Sequence, residues 1–420
     1  MSVKAPRGVN DILPPDSFKW QYIRRKAEEI FELYNYEEII LPIFEHTELF
    51  QRGIGETTDI VEKEMYTFED KGGRSITLRP EGTASVMRAY LEHKIYGQSQ
   101  PTKYFYFGPM FRYERPQAGR FRQFYQIGVE VLGVDNPAVD VEVILVGFQI
   151  LDTLGLKDCK LYINSVGCPE CRSAYREALK DYFKPHLEKL CSDCQRRFER
   201  NPMRMLDCKN EDCKRHMEKA PVILDYLCED CASDFDKVKS YLDLVQIPYE
   251  VDPGLVRGLD YYTKTAFEVK YSKLGAQDTL FAGGRYDGLG EEIGGKRVPG
   301  IGFAMGMERL ILALKYQNVE LPINRNIDLF ITTIGSKAEK EAFKYLNQLR
   351  RAGLKAAMDY MGRSVKGQMK MADRLNARYS IILGDEELDK GSATIRNMET
   401  GEQDEVKLSN LVEEMKKRVK

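Results

Sequence analysis

Between residues 103 and 133, two runs rich in aromatic and β-branched residues flank a polar segment, Glu114–Gly119, which contains a proline and a glycine. This pattern predicts an antiparallel hairpin with a long tip. Alternation along the return strand places Gln126, Gly128 and Glu130 on one face and aliphatic residues on the other. The hairpin is therefore predicted to pack on a core through one face and to present polar groups on the other.

Upstream of this hairpin, apolar residues recur at helical spacing over residues 16–34 and predict a helix. A strand is predicted over Tyr36–Leu41, ended by Pro42. A second strand, Ile76–Leu78, is followed by a helix that starts at Thr83. Glu81 and Thr83 thus lie at a strand-to-helix corner, where side chains often point into clefts. Thr83 equally fits the role of a helix N-cap.

Downstream, an apolar helix is predicted over Val139–Leu151, followed by a helical insertion of about residues 168–245 that is rich in lysine and arginine. The sheet resumes after Pro248 through Thr265–Tyr271 and Thr279–Ala282, and a helix follows over Met307–Tyr316. The chain is therefore predicted to form one sheet-containing domain that is interrupted by a helical insertion.

After a polar, proline-bearing linker over 317–325, the pattern changes to strands that alternate with helices. This alternation predicts a separate α/β domain with a largely parallel sheet. We therefore expect two domains, residues 1–325 and 326–420. The elements predicted in the second are strands at Ile327–Thr333, Leu354–Met358, Tyr379–Leu383 and Thr394–Arg396, and helices at Lys337–Ala352, Val365–Ala377 and Leu408–Val419.

Composition is consistent with this organisation. A chain of 420 residues is too long for one ordinary core, and 43% hydrophobic with 30% charged residues is typical of a soluble globular protein. The first residues lack the apolar segment of a secretion signal, and no run of 18 apolar residues occurs, which predicts a cytoplasmic protein. With a net charge of −2, any nucleic-acid binding must come from local basic patches.

One such patch is the hairpin itself, because Lys103–Phe124 carries five basic residues against a single acidic one. A cationic loop beside a polar sheet face favours an anionic ligand, although a solvated hairpin with a charged edge explains the same residues in isolation. Two phosphate-loop lookalikes fail. Gly290–Lys296 is followed by Arg297 instead of Ser or Thr, and the glycines at 300 and 302 lack a third at dinucleotide spacing.

Arginines are therefore the candidates for phosphate binding. Arg112, Arg257 and Arg309 each lie close to glycines in segments of strand, turn or helix character. A planar guanidinium matches phosphate oxygens in bidentate geometry and keeps its charge when partly desolvated. For any one of them alone, a surface ion pair is the better explanation.

Eight of the nine cysteines lie in the predicted insertion. In chain order they read C-x2-C-x19-C-x2-C and then C-x4-C-x14-C-x2-C. In a cytosolic chain such pairs favour a structural zinc site over disulfides. Cys159 is left over and is predicted to be a buried apolar residue. The candidate zinc ligands are Cys168, Cys171, Cys191, Cys194, Cys208, Cys213, Cys228 and Cys231.

The hairpin resembles motif 2 of the class II aminoacyl-tRNA synthetases, and three further phrases resemble the bacterial histidyl-tRNA synthetases. These are LRPEGT at Leu78–Thr83, VRGLDYYT at Val256–Thr263 and AGGRYDGL at Ala282–Leu289. GIGFAMGMERL at Gly300–Leu310 resembles motif 3 of the class. The resemblance extends over nearly the whole chain. It implies an α+β catalytic domain, with an antiparallel sheet flanked by helices and a helical insertion, and a C-terminal α/β anticodon-binding domain.

The resemblance also implies an activity, histidine–tRNA ligation, which uses L-histidine, ATP with Mg²⁺, and tRNA(His). In that family the residue matching Arg112 contacts the α-phosphate of ATP and the one matching Arg309 contacts the γ-phosphate. Arg257 is taken to bind the α-phosphate during adenylate formation. Arg115 and Arg120 at the hairpin tip are expected to serve the outer phosphates or the tRNA end. Zinc is not part of the family's chemistry.

For histidine, the resemblance assigns the α-amino group to Glu81, Thr83 and Gln126, and the imidazole to Glu130 and Tyr262. An imidazole presents two nitrogens of complementary character, and a site that satisfies both rejects analogues that leave a buried polar group unpaired. The remaining implied roles are a pocket wall from Tyr261 and Tyr286, histidine contacts from Arg112 and Arg257, and catalytic roles for Arg112, Gln126, Arg257 and Arg309.

The helix at residues 16–34 and the following strand match motif 1, which builds the dimer interface in the family, so a homodimer is expected. A core-facing helix explains that pattern equally well. The alternative function is a catalytically inactive paralogue that regulates ATP phosphoribosyltransferase in histidine biosynthesis. Such paralogues tend to lack the C-terminal domain and the arginine matching Arg257, and both are present here.

Overall fold

The computed structural model describes residues 3–56, 58–208 and 210–419, without the side chains of Asp207 and Ala276. The chain divides into two compact units, and the boundary between them in the sequence lies between Leu321 and Pro322. The predicted α+β architecture of the first unit, with its antiparallel sheet and helical insertion, and the predicted C-terminal α/β unit are confirmed. Within the described residues, no helix is both long and apolar enough to cross a membrane.

The first unit opens with a helix that packs on the sheet through Ile23, Ala27 and Ile30. Its elements up to the insertion are α1 (Asp16–Leu33), β1 (Glu37–Glu38), β2 (Phe44–His46), α2 (Thr47–Ile54), β3 (Tyr66–Glu69), β4 (Ser75–Leu78), α3 (Thr83–Glu92), β5 (Thr102–Phe111), β6 (Gln123–Leu132), α4 (Pro137–Thr153) and β7 (Lys160–Ser165). The strand predicted over 36–41 is reduced to β1, which pairs in parallel with β5.

The insertion contains α5 (Pro169–Phe183), α6 (Ser192–Arg200), α7 (Glu211–Met217) and α8 (Glu229–Leu244), joined by short 3₁₀ turns. Its first three helices have an apolar core of their own, which includes Tyr175, Phe183 and Phe198. The last helix, α8, instead adds Phe235 and Leu242 to the main core beside α4. The end of the insertion thus packs with the main sheet of the first unit, whereas its middle packs largely on itself.

The unit is completed by β8 (Tyr249–Val251), β9 (Thr263–Lys270), β10 (Thr279–Arg285), α9 (Leu289–Glu292), β11 (Gly300–Gly306) and α10 (Met307–Tyr316). Eight strands form the main sheet in the order β1-β5-β6-β11-β10-β9-β7-β8, and β2, β4 and β3 form a smaller antiparallel sheet. The main sheet is antiparallel except at its two edges. Ile127, Val129 and Val131 of β6 face the core, and the opposite face presents Gln126 and Glu130.

The second unit consists of β12 (Leu329–Ile334), α11 (Ser336–Arg351), β13 (Ala356–Met358), α12 (Val365–Arg374), β14 (Tyr379–Gly384), α13 (Asp385–Asp389), β15 (Ser392–Asn397), β16 (Gln403–Lys407) and α14 (Leu411–Val419). The sheet order is β13-β12-β14-β15-β16, with the first three strands parallel. The last two strands run antiparallel, so the sheet is less parallel than predicted. The link from β15 to β16 is too short for a crossover.

Candidate active site

A cleft of about 170 Å³ lies on the polar face of the main sheet, between the tip of the β5–β6 hairpin and the end of β11. Residues far apart in sequence meet here because β6 pairs with β11, which aligns Gln126 with Gly306 and Glu130 with Gly302. Ten of the predicted site residues line this cleft: Glu81, Thr83, Arg112, Arg120, Gln126, Arg257, Tyr261, Tyr262, Tyr286 and Arg309.

Two buried carboxyl groups mark one end of the cleft. Glu81 accepts hydrogen bonds from the backbone N–H groups of Thr83 (2.6 Å) and Ala84 (2.9 Å) at the start of α3. The helix is thus capped by Glu81, and Thr83 is free to donate its hydroxyl proton to Glu130 Oε1 at 2.7 Å. Tyr286 donates to the other oxygen of Glu130. Both oxygens of each carboxyl group are therefore fixed in position.

Burial changes the protonation of these groups. Glu130 has no exposed surface, and its burial raises its pKa to about 8, an effect that the negative charge of Glu81 adds to. Burial also raises the pKa of Glu81, although the backbone N–H groups at the start of α3 oppose the rise. A cationic or hydrogen-bonding ligand would relieve this desolvation, so this end of the cleft favours an ammonium or an imidazole.

Aromatic rings enclose the same end. Tyr261 packs against Tyr262 at 4.7 Å and against Tyr286 at 5.8 Å between ring centroids. Tyr106, which the sequence did not single out, lies between Gly82 and Gly128, where a Cβ at either glycine would overlap its ring. A Cβ at Gly302 would likewise overlap the carboxyl group of Glu130. The absence of a side chain at these three glycines thus leaves space for Tyr106 and Glu130 beneath the cleft.

Three arginines define the other end of the cleft. Arg112 donates from Nε to the carbonyl of Pro80 at 2.9 Å. Arg257 lies near Glu268, with Nη1 3.4 Å from Oε1, and near the ring of Tyr262. Arg309 donates to the carbonyls of Gly119 and Thr279 and to Gln277 at 2.9 Å. Arg112 and Arg257 are thus each held through one nitrogen, whereas all three nitrogens of Arg309 are paired within the protein.

The arginines are close enough to repel one another. Burial is the main cause that lowers the pKa of Arg309, and the positive charges of Arg112, Arg120 and Arg257 lower it further. The pKa of Arg112 is lowered in the same way, by burial and by Arg257. For Arg257, burial is opposed by Glu268 and Tyr262, which together raise its pKa. A cluster of half-buried like charges is unfavourable alone, so it favours a polyanionic ligand.

Two predicted residues, Glu130 and Arg115, are not among the described residues that line the cleft, and Glu130 is fully buried behind its partners Thr83 and Tyr286. Two of the lining residues, Arg120 and Gln126, differ in how far their polar groups are already paired. Arg120 pairs with Glu114 and lies 3.6 Å from Glu64, so part of its charge is satisfied within the protein. Arg115 is an exposed residue of the hairpin tip and is not among the described residues that line the cleft. Gln126 Oε1 is buried, and it has no hydrogen-bond partner in the described part of the chain. It is therefore available to a donor on a ligand.

Sequence reasoning missed Tyr106 and Glu308. Glu308 lines the cleft beside Arg309, accepts a hydrogen bond from the backbone N–H of Tyr125 at 3.0 Å, and has its pKa raised by burial to about 7. Its place next to Arg309 in the motif 3 phrase was the available signal. For Tyr106, the signal was its position opposite Gly128 in the hairpin, where alternation directs it to the polar face.

The eight cysteines of the insertion form two separate groups of four. One group joins the two ends of the insertion: Cys168, Cys171, Cys228 and Cys231. The other lies within it: Cys191, Cys194, Cys208 and Cys213. The first two pairs in chain order are therefore not partners, because α8 brings Cys228 and Cys231 back to the start of α5, where Cys168 and Cys171 lie. Cys159 is half-buried, not fully buried as predicted. The partial burial of its thiol group still raises the pKa of that group to about 11.

This geometry agrees with the comparisons to known proteins. A family model described as histidyl-tRNA synthetase matches residues 8–310, and one described as anticodon binding domain matches residues 328–418. The chain belongs to the histidyl-tRNA synthetase family. The match over residues 8–310 includes the residues at both ends of the cleft, and the similarity to individual members extends over the whole chain.

Individual members of the family are similar over their full length. The histidine–tRNA ligase of Halothermothrix orenii is 65% identical and is covered over 100% of both chains. That of Desulforamulus reducens is 56% identical over 98% of each chain. The apo structure of histidyl-tRNA synthetase from Staphylococcus aureus covers 99% of this chain and 100% of its own, with 48% identity and a TM-score of 0.85.

Proposed function

We propose that this protein is a histidine–tRNA ligase that activates L-histidine with ATP and transfers it to the 3′ end of tRNA(His). The observation that carries the proposal is the division of one cleft into a carboxyl and tyrosine end and an arginine end. Two dissimilar substrates, a small cation with an imidazole ring and a polyphosphate, fit these ends and meet between them.

At the carboxyl end, the α-ammonium group of histidine is assigned to Glu81, Thr83 and the unpartnered oxygen of Gln126. The imidazole is assigned to Glu130 and Tyr262, with Tyr261 and Tyr286 as walls. Neutral Glu130 would donate a hydrogen bond to an unprotonated ring nitrogen, and ionised Glu130 would accept one from a ring N–H. A pKa of about 8 therefore suits a ring that has both an acceptor and a donor nitrogen.

At the arginine end, an oxygen of the histidine carboxylate attacks the α-phosphorus of ATP. The bond from that phosphorus to the bridging oxygen breaks, and pyrophosphate leaves with the electron pair. Arg112 and Arg257 are assigned to the α-phosphate, and Arg309, with Arg120 and Arg115 at the tip, to the outer phosphates. Such preorganised donors stabilise charge as it develops, and little covalent chemistry is asked of the protein.

Magnesium is expected to accompany ATP, where it neutralises phosphate charge. Mg²⁺ is usually bound through phosphates and one or two carboxylates. Glu308 fits this role because its carboxyl group is buried beside Arg309 and its pKa is raised to about 7, so a nearby cation would favour its ionised form. A structural zinc in the cysteine-rich insertion is also part of this proposal.

In the second step, the 3′-hydroxyl of the terminal adenosine of tRNA attacks the carbonyl carbon of the adenylate, and AMP leaves. The matched anticodon-binding domain, residues 328–418, supports a role for the second unit in choosing the tRNA. A homodimer is proposed through α1 and the segment that follows it, where Leu33, Ile40, Ile43 and Phe44 are exposed. A role in protein synthesis supports a cytoplasmic location.

The regulatory paralogue is not favoured. Its usual features are the loss of the C-terminal domain and of the arginine that matches Arg257. Here the second unit is present, and Arg257 lines the cleft.

The test is ATP–pyrophosphate exchange with each of the twenty amino acids in turn. We expect exchange with L-histidine alone, and subsequent charging of tRNA(His). Exchange with another amino acid instead would show that the protein is a synthetase of different specificity. Histidine binding without exchange, measured by calorimetry, would favour the regulatory function.

A further inference from the structure

The structure points beyond a general zinc-binding insertion. We propose that the chain holds two separate zinc ions, and that only one of them supports the histidine end of the cleft. We name the group Cys168, Cys171, Cys228 and Cys231 the outer site, and the group Cys191, Cys194, Cys208 and Cys213 the inner site. The role assigned to the outer site rests on the proposed function, whereas the assignment of two zinc ions is independent of that function.

The sulfur geometry fits a tetrahedral ion in each group. Within each group the four Sγ atoms all lie within 4.8 Å of one another. Four thiolates at about 2.3 Å from one ion have sulfur–sulfur separations of about 3.8 Å. The measured separations are 3.5 Å for Cys168–Cys171, 3.9 Å for Cys168–Cys228 and 3.8 Å for Cys191–Cys208. These sulfurs are too far apart for disulfides, which bond at about 2.05 Å.

The backbone around each group also favours thiolates. The N–H of Cys228 donates to Cys171 Sγ at 3.1 Å, and the N–H of Cys191 donates to Cys213 Sγ at 3.3 Å. In the outer site, Cys168 and Cys228 each directly precede a helix, α5 and α8, whose first turns carry Cys171 and Cys231. Four thiolates with no nitrogen or oxygen ligand select zinc over magnesium and calcium.

The outer site is joined to the histidine end through three contacts on residues 262–264. Arg172, next to Cys171 in α5, donates to the carbonyl of Tyr262. Asp234 in α8, three residues after Cys231, pairs with Lys264 Nζ at 2.9 Å. Gly167 accepts from the N–H of Lys264 at 3.0 Å.

Residues 262–264 need this support. Lys264 has φ of 51°, in the left-handed region that a non-glycine residue adopts only when its surroundings hold it there. Both helices that begin at the outer site contact this segment, and Tyr262 lines the cleft. An ion that fixes the starts of α5 and α8 relative to each other therefore fixes Tyr262, a positioning effect rather than a catalytic one.

The helix that carries the inner site, α6, contacts other residues of the first unit. Arg197 pairs with Asp59 at 3.1 Å, Arg200 pairs with Glu62 at 2.9 Å, and Asn201, directly after the helix, lies 3.4 Å from Asp260. These partners lie outside residues 262–264. The inner site itself lies among α6, α7 and the turns beside them, and Cys194, Cys208 and Cys213 belong to the separate core of the insertion. Its ion is expected to hold that small core together, since a core of this size is commonly completed by a metal.

The experiment compares two matched variants of the full chain. Cys231→Ser removes a ligand from the outer site and Cys194→Ser removes one from the inner site. Each cysteine is buried in the first turn of its helix. We expect two zinc per wild-type chain by elemental analysis of protein purified reduced without chelator, and one in each variant. Cobalt exchanged into wild type should give the visible absorption of tetrahedral thiolate sites, reduced by about half in each variant.

In ATP–pyrophosphate exchange, Cys231→Ser should raise the KM for histidine by about tenfold, with kcat and the KM for ATP close to wild type. Cys194→Ser should leave the KM for histidine unchanged and should make the insertion more sensitive to limited proteolysis. Arg172→Ala should keep both zinc ions and raise the KM for histidine as Cys231→Ser does, because it removes the contact and spares the site.

Fewer than two zinc in the wild-type protein, or iron in their place, would overturn the metal assignment. An equal rise in the histidine KM for both cysteine variants would overturn the role of the outer site. If the wild-type protein carried two zinc but showed no histidine-dependent exchange, the proposed function would fail while the two sites stood.

Discussion

Arg257 is held at one edge and open at the other. Its Nη1 atom is 3.4 Å from Glu268, its guanidinium lies 5.9 Å from the centre of the Tyr262 ring, and its Nε is buried with no hydrogen-bond partner among the described residues. Since a buried donor left unpaired is costly, this group is expected to pair with the ligand. A phosphate oxygen would satisfy it.

Replacement of Arg257 by alanine should therefore slow adenylate formation by at least about a hundredfold, because a preorganised donor at a developing charge is lost. The affinity for histidine should change much less, since the carboxyl end of the cleft is intact. Single-turnover adenylate formation, measured beside histidine binding, separates the two effects.

Two further variants bracket this prediction. Arg257→Lys should recover only part of the rate, because an ammonium keeps the charge but loses the planar fork. Glu130→Gln should chiefly weaken histidine binding. A rate near wild type in Arg257→Ala would make this arginine structural and would reopen the regulatory alternative.

Glu130 should also affect how the free energy of unfolding depends on pH. Its pKa is raised to about 8 by burial, above its usual value in an unfolded chain. The folded protein then binds one more proton than the unfolded chain between about pH 4.5 and 8, so this group makes the free energy of unfolding fall as pH rises through that range. The slope from one such group is at most about 1.4 kcal/mol per pH unit.

Glu130→Gln should therefore flatten the pH dependence of unfolding between pH 5 and 8 in the ligand-free protein. Asp140 and Glu308, whose pKa values burial raises to about 6 and about 7, contribute slopes of the same sign in both proteins and cancel in the comparison. Parallel curves for wild type and variant would show that Glu130 is ionised throughout.

At the scale of elements, Arg285 at the end of β10 connects the link between β10 and β11 to α4. Arg285 forms a bidentate pair with Asp140 of α4, with Nη2 2.7 Å from Oδ1 and Nε 3.0 Å from Oδ2. It also contacts Asp287, which accepts from the N–H of Gly300 at 3.2 Å. The helix and both strands that carry the floor of the cleft are thus tied at one point.

Arg285→Ala should destabilise the catalytic unit by roughly 3–5 kcal/mol, because it leaves the buried carboxylates without their partner. Thermal unfolding followed by calorimetry would measure this as a lower transition temperature. The matched control is Arg74→Ala, because the side chain of Arg74 is exposed where it pairs with Asp70. This variant should change the free energy of unfolding by no more than about 1 kcal/mol. Equal effects would mean that Asp140 and Asp287 are neutral.

At the scale of the molecule, each unit has a core of its own. The second unit is built on Leu329, Ile331, Ile381 and Ile395, and Leu321 packs against the core of the first. A protein of residues 1–325 should therefore keep the whole cleft and preserve much of the histidine-dependent exchange as a dimer. Charging of tRNA(His) should be strongly impaired, since the matched anticodon-binding domain is removed.

The control is light scattering, which must show that residues 1–325 remain dimeric before exchange is compared. Charging of tRNA(His) at the full-length rate by the shortened protein would exclude a role for the second unit in recognising the tRNA.

Local chemistry in the sequence determined most elements of this protein. Alternation along β6 is a property of two-residue periodicity, so the faces of Gln126, Glu130 and Val129 followed from the sequence alone. The same holds for α1 and for the hairpin of β5 and β6. The exposed edge strand β16 was missed because its residues, apart from Val406, are polar and give no apolar signal.

Only the tertiary structure decided which distant residues meet. The sequence offered eight cysteines in order, and the return of α8 to the start of α5 is what separates them into outer and inner sites. The placement of Tyr106 under Glu130, and of Glu308 beside the arginines, likewise depends on how β6 pairs with β5 and β11. Periodicity fixes the direction of a side chain along its own element, whereas contacts between elements depend on burial shared over the whole core.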